Sequence, residues 1–198
     1  MLFRSVYLNT NEHDRASWKV ETYEAVLVQK IRHAFPLHRY ERLAPIMAEL
    51  RTKKSTLEVG LLNRAIDITH KGFLRTLQFV KPGVWEYEIE AELTHEYLSN
   101  RATRHAYEPI VATGENACFL HYNANNTQCK SGELLLMDCA AEYANYCSDL
   151  TRTIPVNGKF SKRQKEVYNA VLSVHKQAVQ LMKPGIQLFE FNKQIGEI

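Results

Sequence analysis

The stretch LLLMDCAAEYANYCSDLTRT, residues 134–153, decides the fold because it predicts a β-hairpin. Residues 134–137 form an apolar run, and residues 143–145 offer a tight turn. Residues 146–154 then return with Tyr, Leu, Thr and Ile, which favour strands. The stretch therefore predicts two antiparallel strands joined by a short turn.

This hairpin carries two aspartates that lie eleven residues apart. With a turn centred on residues 143–144, Asp138 lies directly opposite Asp149, and the two Cβ atoms are about 4.5 to 5.5 Å apart. Like charges at that spacing are destabilising unless they share a proton or bind cations. Two such carboxylates suit a pair of divalent ions about 3.5 to 4 Å apart. The alternative, two exposed and unrelated charges, stays open on spacing alone.

The composition is that of an ordinary globular protein, with 198 residues and 45% hydrophobic content. Its 25 basic and 22 acidic residues form no basic run interleaved with aromatics, which argues against nucleic acid as a partner. No segment reaches the roughly 18 consecutive apolar residues of a membrane span. The first 14 residues also lack the apolar core of a secretory signal. We therefore expect a cytoplasmic protein that binds neither nucleic acid nor a membrane.

A segment that begins with Lys-Pro-Gly occurs twice, as KPGVWEYEIE at 81–90 and KPGIQLFEFN at 183–192. Apolar residues at helical spacing precede each copy, over 60–80 and 163–182, so each Lys-Pro-Gly predicts the end of a helix. The alternative, that two similar helix ends arose by chance, stays open. The segments predicted after the first copy are a helix over 85–98 and strands over 108–112 and 117–122, and a helix from about Leu188 is predicted after the second.

The first 50 residues differ from this repeat and predict two helices, over 21–33 and near 40–50. A piece of this size is too small to be a stable domain alone. We therefore interpret 1–50 as the end of an N-terminal domain or as a docking segment. Just beyond it, Ser55 and Glu58 have the spacing of a helix capping box.

Residues 51–198 are predicted to form a larger domain that contains two repeats. The first repeat spans about 55–155, and the second begins at about 160 and stops at Ile198, inside its second helix. Each half of a duplicated unit buries its sheet and helices against the other half. We therefore expect this chain to be an incomplete portion of the domain, without the strands of the second repeat.

The segment IVATGENACFLHY over 110–122, the hairpin region 134–161 and the Lys-Pro-Gly helices together resemble aminopeptidase P, the X-Pro aminopeptidase of the pita-bread metallopeptidase superfamily. The segment LRTKKSTLEV over 50–59 is similar to the linker that opens its catalytic domain, and the match spans about 45–198. The resemblance implies an α+β fold of the pita-bread (creatinase/aminopeptidase) type. This chain would supply the first repeat, the start of the second and the tail of an N-terminal domain.

The resemblance also assigns metal-binding roles to the aspartates of the hairpin. In the family these residues ligate two divalent ions, usually Mn²⁺ with Co²⁺ or Zn²⁺ as alternatives, so Asp138 would bind one ion and Asp149 would bridge both. His121 matches a family histidine that lies near the scissile bond, although a lone histidine in an apolar strand is often structural. The remaining ligands, a histidine and two glutamates, would lie beyond Ile198.

Arg152 and Thr151 are expected to support this site rather than to bind metal. A guanidinium can hold a carboxylate oxygen through two hydrogen bonds, and the Thr151 hydroxyl would join the same network. A plain surface arginine is the alternative for Arg152. Family members often have Asp-Ala-Gly where this chain has Asp138-Cys139-Ala140, which is a small departure in a tight hairpin.

The activity implied by the resemblance is removal of the N-terminal residue from peptides with proline in second position, by a metal-activated hydroxide. A glutamate outside this chain would carry the proton to the leaving amine. The partners expected are such peptides, and a homo-oligomer stays open. One alternative is a prolidase-like X-Pro dipeptidase. Another is a non-catalytic pita-bread interaction module, and the presence of both aspartates argues against this second alternative. Without the other ligands, we expect these 198 residues to bind metal weakly.

Overall fold

The computed structural model describes residues 5–10 and 21–198, and the chain divides into two compact units, the first ending at Val59 and the second beginning at Gly60. The N-terminal stretch used above to exclude a secretory signal lies partly outside these residues. In the described part of the chain, no helix is long and apolar enough to cross a membrane. The predicted domain and repeat boundaries stay predictions.

The first unit contains two short strands and two helices. They are β1 (Ser5–Leu8), α1 (Tyr23–Ala34), β2 (Arg39–Arg42) and α2 (Ala44–Thr52). β1 pairs with β2 in parallel. The predicted helix over 21–33 is confirmed by α1. The helix predicted near 40–50 begins later than predicted, because residues up to Arg42 belong to β2. Pro45 suits the first turn of α2, which begins at Ala44.

Four more helices follow along the chain. They are α3 (Thr56–Phe79), α4 (Glu86–Ser99), α5 (Lys162–Leu181) and α6 (Leu188–Gly196). All four confirm the helices predicted around the two Lys-Pro-Gly segments. The predicted capping box at the start of α3 is also present, since the Ser55 amide donates to Glu58 Oε2 at 2.6 Å and the Glu58 amide donates to Ser55 Oγ at 3.3 Å.

The two Lys-Pro-Gly segments form the same turn. The helix ends Phe79 and Leu181 lie 102 residues apart, as do the next helix starts, Glu86 and Leu188. Gly83 and Gly185 both have a φ of 96°, which glycine adopts without strain. In both copies the amide after this glycine donates to the lysine carbonyl, at 3.3 and 3.2 Å. The repeated unit is therefore a helix, a turn and a second helix.

Six strands of the second unit form two three-stranded sheets. They are β3 (Arg104–His105), β4 (Ile110–Thr113), β5 (Leu134–Asp138), β6 (Ala141–Tyr143), β7 (Tyr146–Cys147) and β8 (Thr151–Pro155). The sheet orders are β3-β6-β7 and β4-β5-β8. The core joins residues of α3 and α4 to the β4-β5-β8 sheet, with Ile68, Leu93, Val111 and Met137 fully buried. This packing fixes the hairpin that carries the aspartates.

The hairpin is present, but its predicted register is wrong by two residues. Asp138 lies opposite Thr151 rather than opposite Asp149. The turn is centred on Ala144 and Asn145, whose φ angles are 51° and 67°. A two-residue loop with two positive φ values matches the strand twist of tight hairpins, and asparagine tolerates this conformation well. Because the shift is two residues, each side chain keeps its predicted face.

The strand predicted over 117–122 is wrong. Residues Gly114–Cys118 form a 3₁₀ helix, and the chain then turns at His121 with a φ of 55°. Gly114 itself has a φ of 55°, a backbone conformation that interrupts β4 directly after its last residue. Phe119 and Leu120, which suggested a strand, are instead 66% and 89% exposed.

Candidate functional site

One cavity of about 430 Å³ brings together the three principal site candidates. Asp138, Asp149 and His121 all line it. Its other lining residues are Tyr107, Glu108, Ile110 and Asn123. Carboxylates, a phenol and an imidazole therefore share one solvent-open site.

The hairpin places both aspartates on the same face of its strands. Asp138 is the last residue of β5, and Asp149 lies in the short stretch between β7 and β8. Pairing continues through that stretch, because the Cys139 amide donates to the Leu150 carbonyl at 3.2 Å. The aspartates are thus diagonal neighbours, a relation with a spacing of about 7 to 8 Å, rather than a directly opposed pair.

A buried hydroxyl pair anchors the hairpin to α3 beside this site. Thr69 is 1% exposed, and its Oγ1 accepts a hydrogen bond from the Ala141 amide at 2.8 Å. The same oxygen lies 2.7 Å from Ser148 Oγ, in the residue just before Asp149. Sequence reasoning missed this contact, because a threonine on an apolar helix face looks like any core residue.

Tyr107 connects the two aspartates, and sequence reasoning missed it. Its hydroxyl lies 2.6 Å from Asp138 Oδ1 and 3.2 Å from Asp149 Oδ1, so its single proton is shared unequally, with Asp138 as the better acceptor. Burial, reinforced by the hydrogen bond to Asp138, raises the pKa of the Tyr107 phenol well above its usual value. The phenol therefore stays a donor at neutral pH. The only signal in the sequence is its place just before the predicted strand over 108–112.

His121 reaches the cavity from a turn rather than from a strand. It is exposed and has a positive φ, and the exposed apolar residues Phe119 and Leu120 precede it. A histidine held in this way is not a buried structural residue. Its ring is free to meet a molecule that enters the cavity of Asp138 and Asp149.

Arg152 and Thr151 lie at a different cavity, of about 560 Å³, between β8 and α5. The Arg152 guanidinium donates to the Thr151 carbonyl at 2.8 Å, and no ion pair among the described residues includes Arg152. No described hydrogen bond joins the Thr151 hydroxyl to either aspartate. The prediction that Arg152 and Thr151 support the aspartates stays a prediction, and no described side-chain contact joins either residue to Asp138 or Asp149.

The side chains of Asp138 and Asp149 have the chemistry of a binding site for a divalent cation. Both Oδ1 atoms lie within hydrogen-bond distance of one phenol oxygen, so they are within about 6 Å of each other. Carboxylate oxygens are the ligands that Mg²⁺, Ca²⁺ and Mn²⁺ prefer. No group of three or more His, Cys, Asp or Glu that could hold a metal occurs among residues 5–10 and 21–198. The described residues thus bring two carboxylates together at the cavity, without a third ligand of these types placed to hold a metal with them.

Residues 60–198 match the sequence model of metallopeptidase family M24. An Xaa-Pro aminopeptidase of Haemophilus influenzae is 41% identical over 154 residues, which are 78% of this chain and 36% of that protein. A variant of Escherichia coli aminopeptidase P in complex with substrate has a TM-score of 0.82 and 32% identity, over 97% of this chain and 44% of the other. The zinc-substituted E. coli enzyme in complex with product gives the same values. The chain spans less than half the length of these relatives.

Proposed function

Because this chain belongs to metallopeptidase family M24, we propose that it forms part of an aminopeptidase that removes the N-terminal residue from peptides with proline in second position. The observation that carries the proposal is the convergence of Asp138, Asp149 and His121 on one cavity. The named activity of the similar H. influenzae protein supports the same substrate class.

We propose Asp138 and Asp149 as ligands of two divalent ions, with Mn²⁺ as the first choice and Co²⁺ or Zn²⁺ as alternatives. The chemistry that such ions supply when bound is Lewis-acid catalysis, which lowers the pKa of a water and polarises a peptide carbonyl. The diagonal placement of the aspartates leaves room between them, whereas a directly opposed pair would be more crowded. Other residues of the longer protein would complete the ligand set.

The side chains of this chain have distinct roles in the proposed reaction. Tyr107 orients the carboxylates of Asp138 and Asp149 because both accept from its single hydroxyl hydrogen, Asp138 more strongly. His121 lines the same cavity as the aspartates. In the proposed reaction it contacts the substrate beside the scissile bond. Its imidazole can donate a hydrogen bond to the peptide carbonyl as negative charge develops on that oxygen.

The proposal is tested with the full-length protein and added MnCl₂. An X-Pro peptide of three or more residues should be cleaved after its first residue, and the same peptide with alanine in place of proline should be cleaved much more slowly. Cleavage of X-Pro dipeptides alone would favour the prolidase-like alternative. A protein that binds none of Mn²⁺, Co²⁺ and Zn²⁺ by elemental analysis would be a non-catalytic module.

The substitution Tyr107→Phe should weaken metal binding by about 10- to 100-fold, the usual cost of losing a group that orients a ligand. The ring is kept, so the loss reports the hydroxyl alone. Calorimetric titration of the metal-free protein with Mn²⁺ measures the effect. Tyr87→Phe, at an exposed phenol on α4, is the matched control and should leave the affinity unchanged. An unchanged affinity for Tyr107→Phe would show that the phenol does not orient the aspartates.

A further inference from the structure

Glu86, the first residue of α4, is a carboxylate with no exposed surface and lies outside the cavity of the aspartates. Among the ion pairs of the described residues, none includes Glu86. Burying such a group is costly unless hydrogen bonds satisfy its oxygens. Because Glu86 lies in the first turn of α4, the positive end of the helix dipole stabilises its negative charge in part. The remaining compensation must come from neighbouring donors.

Four donors surround the two oxygens of Glu86. Oε1 accepts from the Thr113 amide at 2.7 Å and from Asn116 Nδ2 at 3.1 Å. Oε2 accepts from the Tyr122 hydroxyl at 2.7 Å and from the Thr127 amide at 2.9 Å. A carboxylate has about four acceptor sites, so all of them are used.

All four donors belong to one segment, 113–127, which we call the His121 segment. It begins with Thr113, the last residue of β4, and after that residue it has no strand pairing before Gln128, which forms an isolated bridge with Trp85. A strand predicted over 117–122 would have been held by ladder hydrogen bonds. In their absence, Glu86 ties the start and the end of the segment to the same pair of oxygens.

The bond to Tyr122 brings this anchor next to the cavity. Tyr122 directly follows His121, and Asn116 also donates to the Tyr122 hydroxyl at 3.0 Å. His121 has a positive φ, which costs free energy for a residue with a side chain unless its neighbours hold it. The hydrogen bond from Tyr122 to Glu86 fixes the residue that directly follows His121, and it thereby stabilises the backbone conformation of His121.

We propose that Glu86 is a positioning residue that holds the His121 segment so that the His121 ring faces the cavity of Asp138 and Asp149. This inference rests on the proposed function, in which His121 contacts the substrate. Glu86 touches neither the substrate nor a metal; it acts through Tyr122 and the backbone of its segment. A glutamine at this position would be similar in size but would replace one acceptor oxygen by an NH₂ donor. That donor would face either the Thr113 amide or the Thr127 amide, neither of which can turn away.

The test compares Glu86→Gln in two backgrounds of the full-length protein with Mn²⁺ and an X-Pro peptide. In the wild-type background kcat/KM should fall by about 10- to 100-fold, as for other small displacements of a catalytic group. In a His121→Ala background the same change should cost less than about twofold, because the two residues act as one unit. Equal losses in both backgrounds would show a general structural role and would overturn the proposal. Glu92→Gln, on the same helix but paired with Arg75, should stay within about twofold of wild type in both backgrounds.

Hydrogen exchange gives a readout that does not depend on activity. Glu86→Gln should speed amide exchange in the His121 segment by about tenfold or more while leaving the hairpin over 134–155 unchanged. If the wild-type protein cleaves no X-Pro peptide, the proposed function fails, and exchange still decides whether Glu86 holds the segment. Unchanged exchange, or equal acceleration in the hairpin, would overturn the positioning role. If Glu86→Gln does not fold, Tyr122→Phe, which removes one donor and keeps the carboxylate, carries the same two measurements.

Discussion

Replacing Asp149 by alanine in the full-length protein is expected to abolish metal binding and peptide cleavage together. Asp149 and Asp138 face one cavity and converge on one phenol. In the proposed function both are metal ligands, so removal of either carboxylate would take away a ligand rather than a supporting contact. Loss of a supporting group costs about 10- to 100-fold in metal affinity or activity, and loss of a ligand should exceed that. Elemental analysis after dialysis and the kcat/KM for an X-Pro peptide measure the two effects.

The control for this substitution is Asp67→Ala, which removes an exposed carboxylate from α3. It should leave both the bound metal and the activity at the wild-type level. Asp149→Asn adds a second arm, because it keeps the shape of the side chain while removing its charge, and it should also lose metal. An Asp149→Ala protein that keeps its metal and its activity would show that the hairpin aspartates are not ligands.

The resemblance to aminopeptidase P and the α+β pita-bread fold, both inferred from short motifs, are confirmed by the similar sequences and structures. The helices followed from apolar spacing and from the Lys-Pro-Gly stops, because these signals are local. Whether His121 lay in a strand was not a local question. The segment around His121 is rich in residues that favour strands. Its amides and side chains nevertheless donate hydrogen bonds to Glu86, which is far away in the sequence.

The register of the hairpin shows how one residue decides the geometry of a site. The residues around the turn permit more than one centre, and Asn145 favours the later one because it tolerates a positive φ. A shift of two residues changed the relation of Asp138 and Asp149 from directly opposed to diagonal while both stayed on one face. Tyr107 could not be foreseen, since a phenol just before a predicted strand has no pattern that links it to the hairpin.

The substitution Gly72→Ala should destabilise the protein by about 1 to 3 kcal/mol, because it overpacks the contact between α3 and α4. A Cβ at Gly72 would lie 2.5 Å from Tyr97 Cε1 and 3.2 Å from Leu93 Cδ2. The Tyr97 ring is 1% exposed and packs edge-on against His105 at 5.0 Å, so it has no room to move aside. This cost outweighs the gain of about 1 kcal/mol that alanine has over glycine in a helix.

Gly60 provides the matched control, because it lies in the same helix and a Cβ there would meet nothing within 4 Å. Gly60→Ala should therefore stabilise the protein by about 0.5 to 1 kcal/mol, through helix propensity alone. The same substitution at two positions of α3 is thus expected to have opposite signs. Urea unfolding with an unchanged slope measures both values. A stabilising Gly72→Ala would mean that the Tyr97 ring can shift, and that the close approach of α3 and α4 does not require glycine.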